Sequence, residues 1–286
     1  MTTTRGIMSD VEWRTLGGRL IVALFFLILL LFSLSFLFPF FFAFTAGLKT
    51  SSEIVKPGLR LFPEIAHWEN YAEAWRRYNM VGMFLNTFIV AIGGVAGRLF
   101  VSAMAAYSIS RLKPFGKNVI MSLILLTLTI PGIAYLIPLY IVITDLPILH
   151  VNLVNTYLGL WLPYAGSAFV ILVLKNSFDQ IPQDYYDAAA VDGASPIRMF
   201  FTFTLPLSAP ILLVLGLLAF VGMWGDFLLP YLVLRNSELQ TVSVRLFALV
   251  RDFPMNLQMA GAFIALLPPL VAVLFLQRYM RGGLTF

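Results

Sequence analysis

Residues 181–206 read IPQDYYDAAAVDGASPIRMFFTFTLP, a polar segment that separates two charge-free apolar runs. Gly193 supplies the left-handed residue that commonly ends a helix, because glycine has no Cβ to clash in that conformation. Ser195 followed by Pro196 is typical of an N-cap and the first position of a second helix. The segment therefore predicts two short helices joined by a glycine corner.

The first of these predicted helices has a smooth surface, since alanines occupy positions 188–190. Such a surface allows the backbone of another protein to approach closely. Asp187, Asp192 and Arg198 lie at its edge, where they can form charge-assisted hydrogen bonds. We interpret residues 181–206, called the docking loop below, as the surface on which another protein docks. An ordinary amphipathic surface loop is the alternative.

The rest of the chain has the composition of a membrane protein: 60% of its 286 residues are hydrophobic, 12% are charged, and the mean hydropathy is +0.89. Its charge-poor runs are long enough to cross a bilayer of about 30 Å as helices. They are apolar on every face, whereas the strands of a membrane barrel alternate. We predict an all-α polytopic protein, its membrane domain at residues 20–280. The six predicted spans lie at about 20–46, 82–109, 118–144, 153–175, 206–233 and 255–278.

Simple counts exclude several other classes of protein. The chain has no cysteine, so it forms neither a disulfide framework nor a thiolate metal site. Its two histidines, His67 and His150, lack metal-ligand spacing. The net charge of +5 comes from basic residues spread between the spans, so nucleic acid is not an expected partner. The apolar run from Leu20 is too long for the core of a signal peptide and is interpreted as a retained first span.

Basic residues in the short loops set the predicted orientation, because Lys and Arg favour the cytoplasmic side. The loop after the second span is basic, whereas the loop after the third span, residues 145–152, has no Lys or Arg. The residues that decide this are Arg111, Lys113 and Lys117 in the loop, with Arg5, Arg14 and Arg19 in the N-terminal arm 1–19. Both termini, including the tail 281–286, and the docking loop are therefore predicted to be cytoplasmic.

The docking loop resembles the cytoplasmic coupling loop of permease subunits in binding-protein-dependent ABC importers. That family has Glu-Ala-Ala, then Asp-Gly-Ala, and after a spacer an apolar residue and proline. The matching residues here are Asp187, Ala188, Ala189, Asp192, Gly193, Ala194, Leu205 and Pro206. Asp187 stands where the family usually has Glu, which keeps the charge and shortens the side chain. The resemblance implies a coupling loop over residues 177–206 that contacts an ATPase subunit.

Matches outside the loop resemble one branch of that family, the second permease subunit of maltose-type carbohydrate importers. They include Asn86-Thr87 in span two, Ala105-Ala106-Tyr107 with Arg111 at its end, Ile130-Pro131-Gly132 in span three, and Gln277-Arg278-Tyr279 near the C-terminus. One departure is Gly225, where the family usually has Asn beside an acidic residue. The resemblance covers nearly the whole chain.

This family implies a division of labour between several proteins. An extracytoplasmic solute-binding protein delivers a sugar, oligosaccharide or polyol, two different permeases form the path, and two cytoplasmic subunits bind ATP with Mg. This chain would be one permease in a bacterial or archaeal cytoplasmic membrane, with no cofactor and no enzymatic activity of its own. It contains no G-x-x-x-x-G-K-[ST] motif that could cradle phosphates.

Charged and helix-breaking residues within the predicted spans are candidates for the translocation path. Arg98 lies near the middle of span two, where a charge costs about 2.5 to 3.5 kcal/mol on insertion scales. Asp226 in span five lies at comparable depth, so we expect the two to pair or to line the same aqueous path. Alternatively, Arg98 satisfies backbone carbonyls at a subunit interface. Pro131 and Gly132, which interrupt span three, and the ring of Trp224 are further candidates.

Three other functions stay open from the residues alone. The coupling-loop pattern is shared by importers of non-sugar solutes. An ion-coupled transporter could use Arg98 and Asp226 as coupling groups, although inverted repeats would then be expected and none is recognisable. An intramembrane enzyme is a more remote possibility, because the chain has no H-E-x-x-H or G-x-S-x-G motif.

Overall fold

The computed structural model describes residues 15–58 and 60–282. Throughout this part of the chain the regular elements are helical, and the one β-type pairing is an isolated bridge between Leu146 and Val151. The predicted all-α class is confirmed. Residues 1–14 of the predicted N-terminal arm, with Arg5 and Arg14, and residues 283–286 of the predicted tail lie outside the described part.

The smaller of two compact units comprises the described residues up to Tyr71 together with Pro254–Phe263. It contains α1 (Leu16–Gly47), α2 (Ser51–Val55), the start of α3 (Glu69–Arg77) and part of α15 (Met255–Gly282). The Asn70 amide donates to the carbonyls of Gly47 and Lys49 at 2.9 and 3.0 Å, which satisfies acceptors left free at the end of α1. Most of α1 is apolar on all sides and exposed, as expected for a helix that faces lipid or another subunit.

The larger unit comprises Ala72–Phe253 and the described residues after Phe263. Its longest helix is α4 (Met80–Tyr107), which continues through a π-helical segment at Ser108–Leu112. The helices that follow are α5 (Lys117–Thr127), α6 (Leu136–Thr144), α7 (Leu158–Ala165), α8 (Ala168–Asp179), α9 (Gln183–Val191), α10 (Pro196–Met199), α11 (Leu205–Leu207), α12 (Ala209–Gly225), α13 (Leu228–Val233) and α14 (Val242–Ala248). A 3₁₀ turn at Gly132–Tyr135 precedes α6, and a second π-helical segment at Phe200–Thr204 precedes α11.

Membrane spans come in two forms. Three stretches, Leu16–Gly47, Met80–Leu112 and Met255–Gln277, are each long and apolar enough to cross a bilayer as one helix. Three further helix pairs pass the same test but are bent at a short break, by 95° between Lys117–Thr127 and Gly132–Thr144, 48° between Leu158–Ala165 and Ala168–Asp179, and 77° between Pro196–Leu207 and Ala209–Gly225. With each bent pair counted as one span, the described residues contain six candidate spans, which is the predicted number, although the fifth candidate begins at Pro196 rather than at about residue 206.

The breaks have local causes in the sequence. The interruption of span three precedes Pro131, in agreement with the expectation, because the residue before proline disfavours the helical conformation. Span four breaks at Gly166, and the Ser167 hydroxyl caps the helix that restarts after it. Span five was expected to be continuous over 206–233, but it is interrupted twice. It bends by 77° between Leu207 and Ala209, and it stops again at Asp226, whose ψ of 133° is extended, before α13 begins at Leu228.

Helix α4 lies at the centre of the larger unit, against α7, α8 and α12. Gly93 makes the approach of α7 possible, because a Cβ there would lie 2.2 Å from the Trp161 ring, whereas a Cβ on Gly97 would make an ordinary contact 3.6 Å from the Ala165 side chain. Small residues at such a position let two membrane helices pack closely. Separate buried clusters surround the two halves of α4, one containing Val90 and the other containing Tyr107.

Candidate functional site: docking loop and membrane cavity

The docking loop folds as the helix, glycine corner and helix expected from its sequence. Gly193 has a φ of +75°, and its N–H donates to the Ala190 carbonyl at 3.0 Å. The N–H of Ala194 donates to the Ala189 carbonyl at 2.9 Å. These two bonds form a Schellman motif, which satisfies the last carbonyls of α9 and turns the chain. Helix α10 begins directly afterwards, with the serine cap and the first-turn proline that the sequence predicts.

Only part of the predicted docking set faces solvent. Ala189 is 5% exposed and packs inward together with Tyr186, which lies three residues earlier on the same face of α9. Ala194 and Leu205 are half-buried. The exposed members of the set are Asp187, Ala188, Asp192, Gly193, Arg198 and Pro206. The surface open to a partner is therefore formed by Ala188 and Ala190 with charged neighbours, whereas Ala189 faces inward.

The inward face of the loop is fastened to the end of span two by Arg111. Its guanidinium donates to the backbone carbonyls of Phe178 and Ile181, the latter at 2.6 Å, and to Oε1 of Gln183 at 3.0 Å. It also lies over the Tyr186 ring, 4.2 Å from the ring centroid. Sequence reasoning used Arg111 only for orientation and family resemblance, because its partners lie far away along the chain.

Arg98 and Asp226 are linked through Tyr164 rather than directly. The Nε of Arg98 donates to the Tyr164 carbonyl at 2.9 Å, and the Tyr164 hydroxyl donates to Oδ2 of Asp226. Among the described residues no ion pair within 4.0 Å joins Arg98 and Asp226. The direct pairing that the sequence suggested is therefore corrected. The alternative holds in part, since Arg98 satisfies a carbonyl at the end of α7 within its own chain.

A cavity of about 380 Å³ brings the breaks of three spans together. Gly132 lies at the break of span three, Gly166 at that of span four and Asp226 at the second break of span five. Arg98 lines the same cavity as Asp226, from the unbroken span two, while the role of this cavity as a path stays a prediction. Its other lining residues include Tyr135, Leu136, Leu139, Pro163, Tyr164 and Leu229.

Two other path candidates lie elsewhere. Trp224 is 4% exposed, its Nε1 donates to the Ala265 carbonyl at 3.0 Å, and its ring packs edge-on against Phe88 at 4.9 Å. It is therefore a packing residue and does not line the cavity. Pro131 is the exposed residue before Gly132 and creates the break without being among the lining residues.

The sequence pattern of the family described as "Binding-protein-dependent transport system inner membrane component" matches residues 98–284, which contain both the cavity and the docking loop. The chain belongs to this family. As such a component it is a permease of an ABC importer, in which ATP hydrolysis belongs to separate ATPase subunits.

Characterised relatives of this permease match along most of its length. The sn-glycerol-3-phosphate transport system permease protein of Rhizobium meliloti (strain 1021) is 33% identical over 86% of this chain and 90% of its own. The arabinooligosaccharides transport system permease protein of Bacillus subtilis (strain 168) is 29% identical, with 93% of this chain and 94% of its own covered.

The fold of this permease is shared with a solved bacterial ABC transporter involved in the import of the acidic polysaccharide alginate. The TM-score is 0.78 at 21% identity, with 95% of this chain and 99% of that chain covered. A structure of a bacterial alginate ABC transporter in complex with an alginate pentasaccharide-bound periplasmic protein matches less closely, with a TM-score of 0.51, 16% identity and 74% of this chain and 88% of that chain covered. Both likenesses identify the fold as that of an importer permease.

Proposed function

We propose that the chain is one of two permease subunits of an ATP-driven importer of a carbohydrate, and that it couples to a cytoplasmic ATPase through the docking loop. The observation that carries this proposal is the docking loop itself. Its inward face is fixed to the end of span two by Arg111, which donates to the Ile181 carbonyl and the Gln183 side chain, while Ala188, Asp192 and Arg198 stay exposed. A rigid surface of this kind can transmit movement from a partner, whereas a flexible loop cannot.

The cavity around Arg98 is proposed as this subunit's part of the translocation path. Broken helices at the level of the bilayer midplane commonly mark solute sites, because their free backbone groups become available there. Arg98 lies about 20 Å along span two from Asn86 and about as far from Arg111, at 1.5 Å rise per residue. The cavity is therefore at mid-depth, where a solute path between the two membrane surfaces must pass.

A carbohydrate or polyol is the proposed solute. The relatives named above are transport permeases for sn-glycerol-3-phosphate and for arabinooligosaccharides, and both of these solutes carry two or more hydroxyl groups. The cavity suits such a molecule because Arg98 supplies donors and Asp226 supplies acceptors within one half-buried site. Import of a non-sugar solute is the alternative, since the same docking loop would serve it equally well.

The proposed assembly contains a second permease, two ATP-binding subunits with Mg and an external solute-binding protein, in a bacterial or archaeal cytoplasmic membrane. The basic loop with Arg111, Lys113 and Lys117 supports a cytoplasmic position for the docking loop and both termini. The exposed apolar surface of α1 supports burial against lipid or the second permease.

Reconstitution of the complex tests the proposal. The chain, a second permease and the ATPase subunits from the same gene cluster would be placed in proteoliposomes, and ATP hydrolysis measured with the binding protein loaded with glycerol phosphate, pentose oligomers or amino acids. We expect stimulation by a polyhydroxy solute only when all subunits are present. Solute movement by this chain alone, without nucleotide, would contradict the proposal.

A further inference from the structure

We propose that Arg111 is a positioning residue that latches the docking loop to the cytoplasmic end of span two, so that movement of the loop is passed directly along span two to the Arg98 cavity. The proposal rests on the proposed function, since it concerns how docking is coupled to the path. According to this proposal, movement of the docking loop reaches span two directly through Arg111, and not only through the packing of span two against the neighbouring helices.

The contacts of Arg111 join three structural elements at one point. Its guanidinium donates to the Phe178 carbonyl near the end of α8, to the Ile181 carbonyl at the start of the docking loop, and to the Gln183 side chain in the first turn of α9. The carbonyls at the end of α8 have no partner within their own helix, and a cation there is also favoured by the helix dipole. Arg111 therefore holds span four and the docking loop together from span two.

The side chain at this position must be arginine for the latch to form. A guanidinium offers five donors in a planar fork and stacks on an aromatic face, whereas a lysine ammonium is a compact point charge. Arg111 uses both properties, since it donates to three acceptors while it lies over the Tyr186 ring. The Tyr186 hydroxyl in turn contacts the Thr204 hydroxyl at 2.8 Å, which extends the connection to the start of span five.

A second contact between span two and the loop runs parallel to the first. The Tyr107 hydroxyl donates to the Pro196 carbonyl at 3.0 Å, and the Tyr107 ring lies 5.1 Å from the Phe200 ring. Arg111 thus holds α9 while Tyr107 holds α10, one on each side of the glycine corner. Span two is therefore bonded to both helices of the docking loop.

Two π-helical segments adjoin these contacts, and such segments are often found at functional sites. Ser108–Leu112 contains Arg111 and ends span two, while Phe200–Thr204 contains the partners of Tyr107 and Tyr186. From the first segment α4 runs as one uninterrupted helix for about 15 Å to Arg98. The latch is therefore connected to the cavity by a rigid element, whereas spans three, four and five are broken between the two sites or at the cavity.

The experiment uses a reporter at Thr127, an exposed residue on α5 that lines a second cavity together with Arg98. Because the chain has no cysteine, Thr127→Cys introduces the only thiol of this subunit. In the assembled transporter, the rate at which a maleimide labels this thiol is compared without nucleotide and with MgATP plus vanadate. The same measurement is made with Arg111→Gln, with Arg111→Lys, and with Lys113→Gln, which removes a nearby exposed charge with no side-chain partner among the described residues.

We expect vanadate trapping to change the labelling rate in the reporter background by at least about fivefold, within the usual range of coupling between sites. Arg111→Gln should retain ATP hydrolysis and lose most of that change, Arg111→Lys should recover only part of it, and Lys113→Gln should behave as the reporter background. A full response in Arg111→Gln would overturn the latch while leaving the proposed function intact. Absence of ATPase from the reporter complex would instead contradict the proposed function.

Should Arg111→Gln fail to assemble, Arg111→Lys decides the matter, because it keeps the charge and the length of the side chain. If vanadate trapping changes the labelling rate in Arg111→Lys as much as in Lys113→Gln, the latch is contradicted. A response reduced by about threefold or more, with ATP hydrolysis retained, would support it, since a residue needed only for folding would not separate hydrolysis from the cavity response.

Discussion

The Tyr164 hydroxyl donates a hydrogen bond to Asp226, and the carbonyl of the same tyrosine accepts one from Arg98. One buried residue at the end of α7 therefore contacts both charged residues, Arg98 through its backbone carbonyl and Asp226 through its hydroxyl, where spans two, four and five meet. This arrangement places a donor and an acceptor in the same cavity without joining them in an ion pair. Each charged side chain thus has a polar partner within the apolar surroundings of the helices, as buried charges in membrane proteins require.

Replacement of Tyr164 by phenylalanine should destabilise the chain by removing the donor to Asp226. A hydrogen bond to a charged group contributes about 1.5 to 3 kcal/mol, and the carboxylate would be left without its partner. The free energy of unfolding in detergent measures this loss. Tyr157→Phe is the matched control, because the Tyr157 hydroxyl donates to the neutral Asn86 side chain at 2.8 Å and should cost about 0.5 to 1.5 kcal/mol. An equal or smaller loss for Tyr164→Phe would contradict the assignment.

Arg98 and Asp226 should be energetically coupled although they do not touch. We expect the combination of Arg98→Gln and Asp226→Asn to deviate from additivity by about 0.5 kcal/mol or more in unfolding free energy, because both residues share Tyr164. The control combines Arg98→Gln with Asp179→Asn, at a carboxylate paired with Lys175 near the end of span four. Additivity within about 0.5 kcal/mol is expected there, and the same result for the Asp226 pair would show that Tyr164 does not connect the two charges.

Gly193→Val should uncouple ATP hydrolysis from solute uptake while membrane insertion is retained. The residue has a φ of +75° and open space around its Cβ position, so the cost of about 1 to 2 kcal/mol is purely conformational and is relieved by a change in the corner. Gly116→Val is a close control, because Gly116 has a φ of +77° and equally open surroundings outside the docking loop. Uptake per ATP hydrolysed should fall for Gly193→Val and stay near the wild-type value for Gly116→Val. Equal uptake in the two variants would contradict a role for the corner.

Leucine substitutions at two adjacent alanines should have different effects, one on the binding of the ATPase subunits and the other on the stability of the chain. Ala188 is exposed, so Ala188→Leu should leave the unfolding free energy within about 0.5 kcal/mol while it reduces co-purification of the ATPase subunits. Ala189 is buried, so Ala189→Leu should cost about 1 to 3 kcal/mol through overpacking. Both quantities are measured on the same detergent-purified complex. Retained ATPase with Ala188→Leu would place the docking surface elsewhere.

Local features of the structure could be predicted well from the sequence. The glycine corner at Gly193 and the Ser195 cap depend on residues within one or two turns, so their signals are complete in a short segment. The break at Pro131 is equally local. Hydropathy identifies the spans, but it does not register the breaks at Gly166 and Asp226, because apolar residues surround both.

Contacts distant in sequence could not be predicted in the same way. The role of Tyr164 depends on Arg98 and Asp226, which lie far from it along the chain and meet only when α4, α7 and α12 pack together. Hydrophobicity likewise could not show that Trp224 points into an aromatic cluster rather than into the cavity. Composition and local capping specify the helices, and packing decides which of their side chains form the site.

The docking loop can be tested directly by cross-linking from a single position. In a chain without native cysteine, Ala188→Cys can carry a photoreactive maleimide, with Ser237→Cys, exposed in the loop between α13 and α14, as the comparison. In inside-out membrane vesicles that contain the assembled transporter, we predict a light-dependent adduct between position 188 and an ATPase subunit and none from position 237. Reaction of position 188 only from the external side, or an ATPase adduct from position 237 alone, would contradict the account.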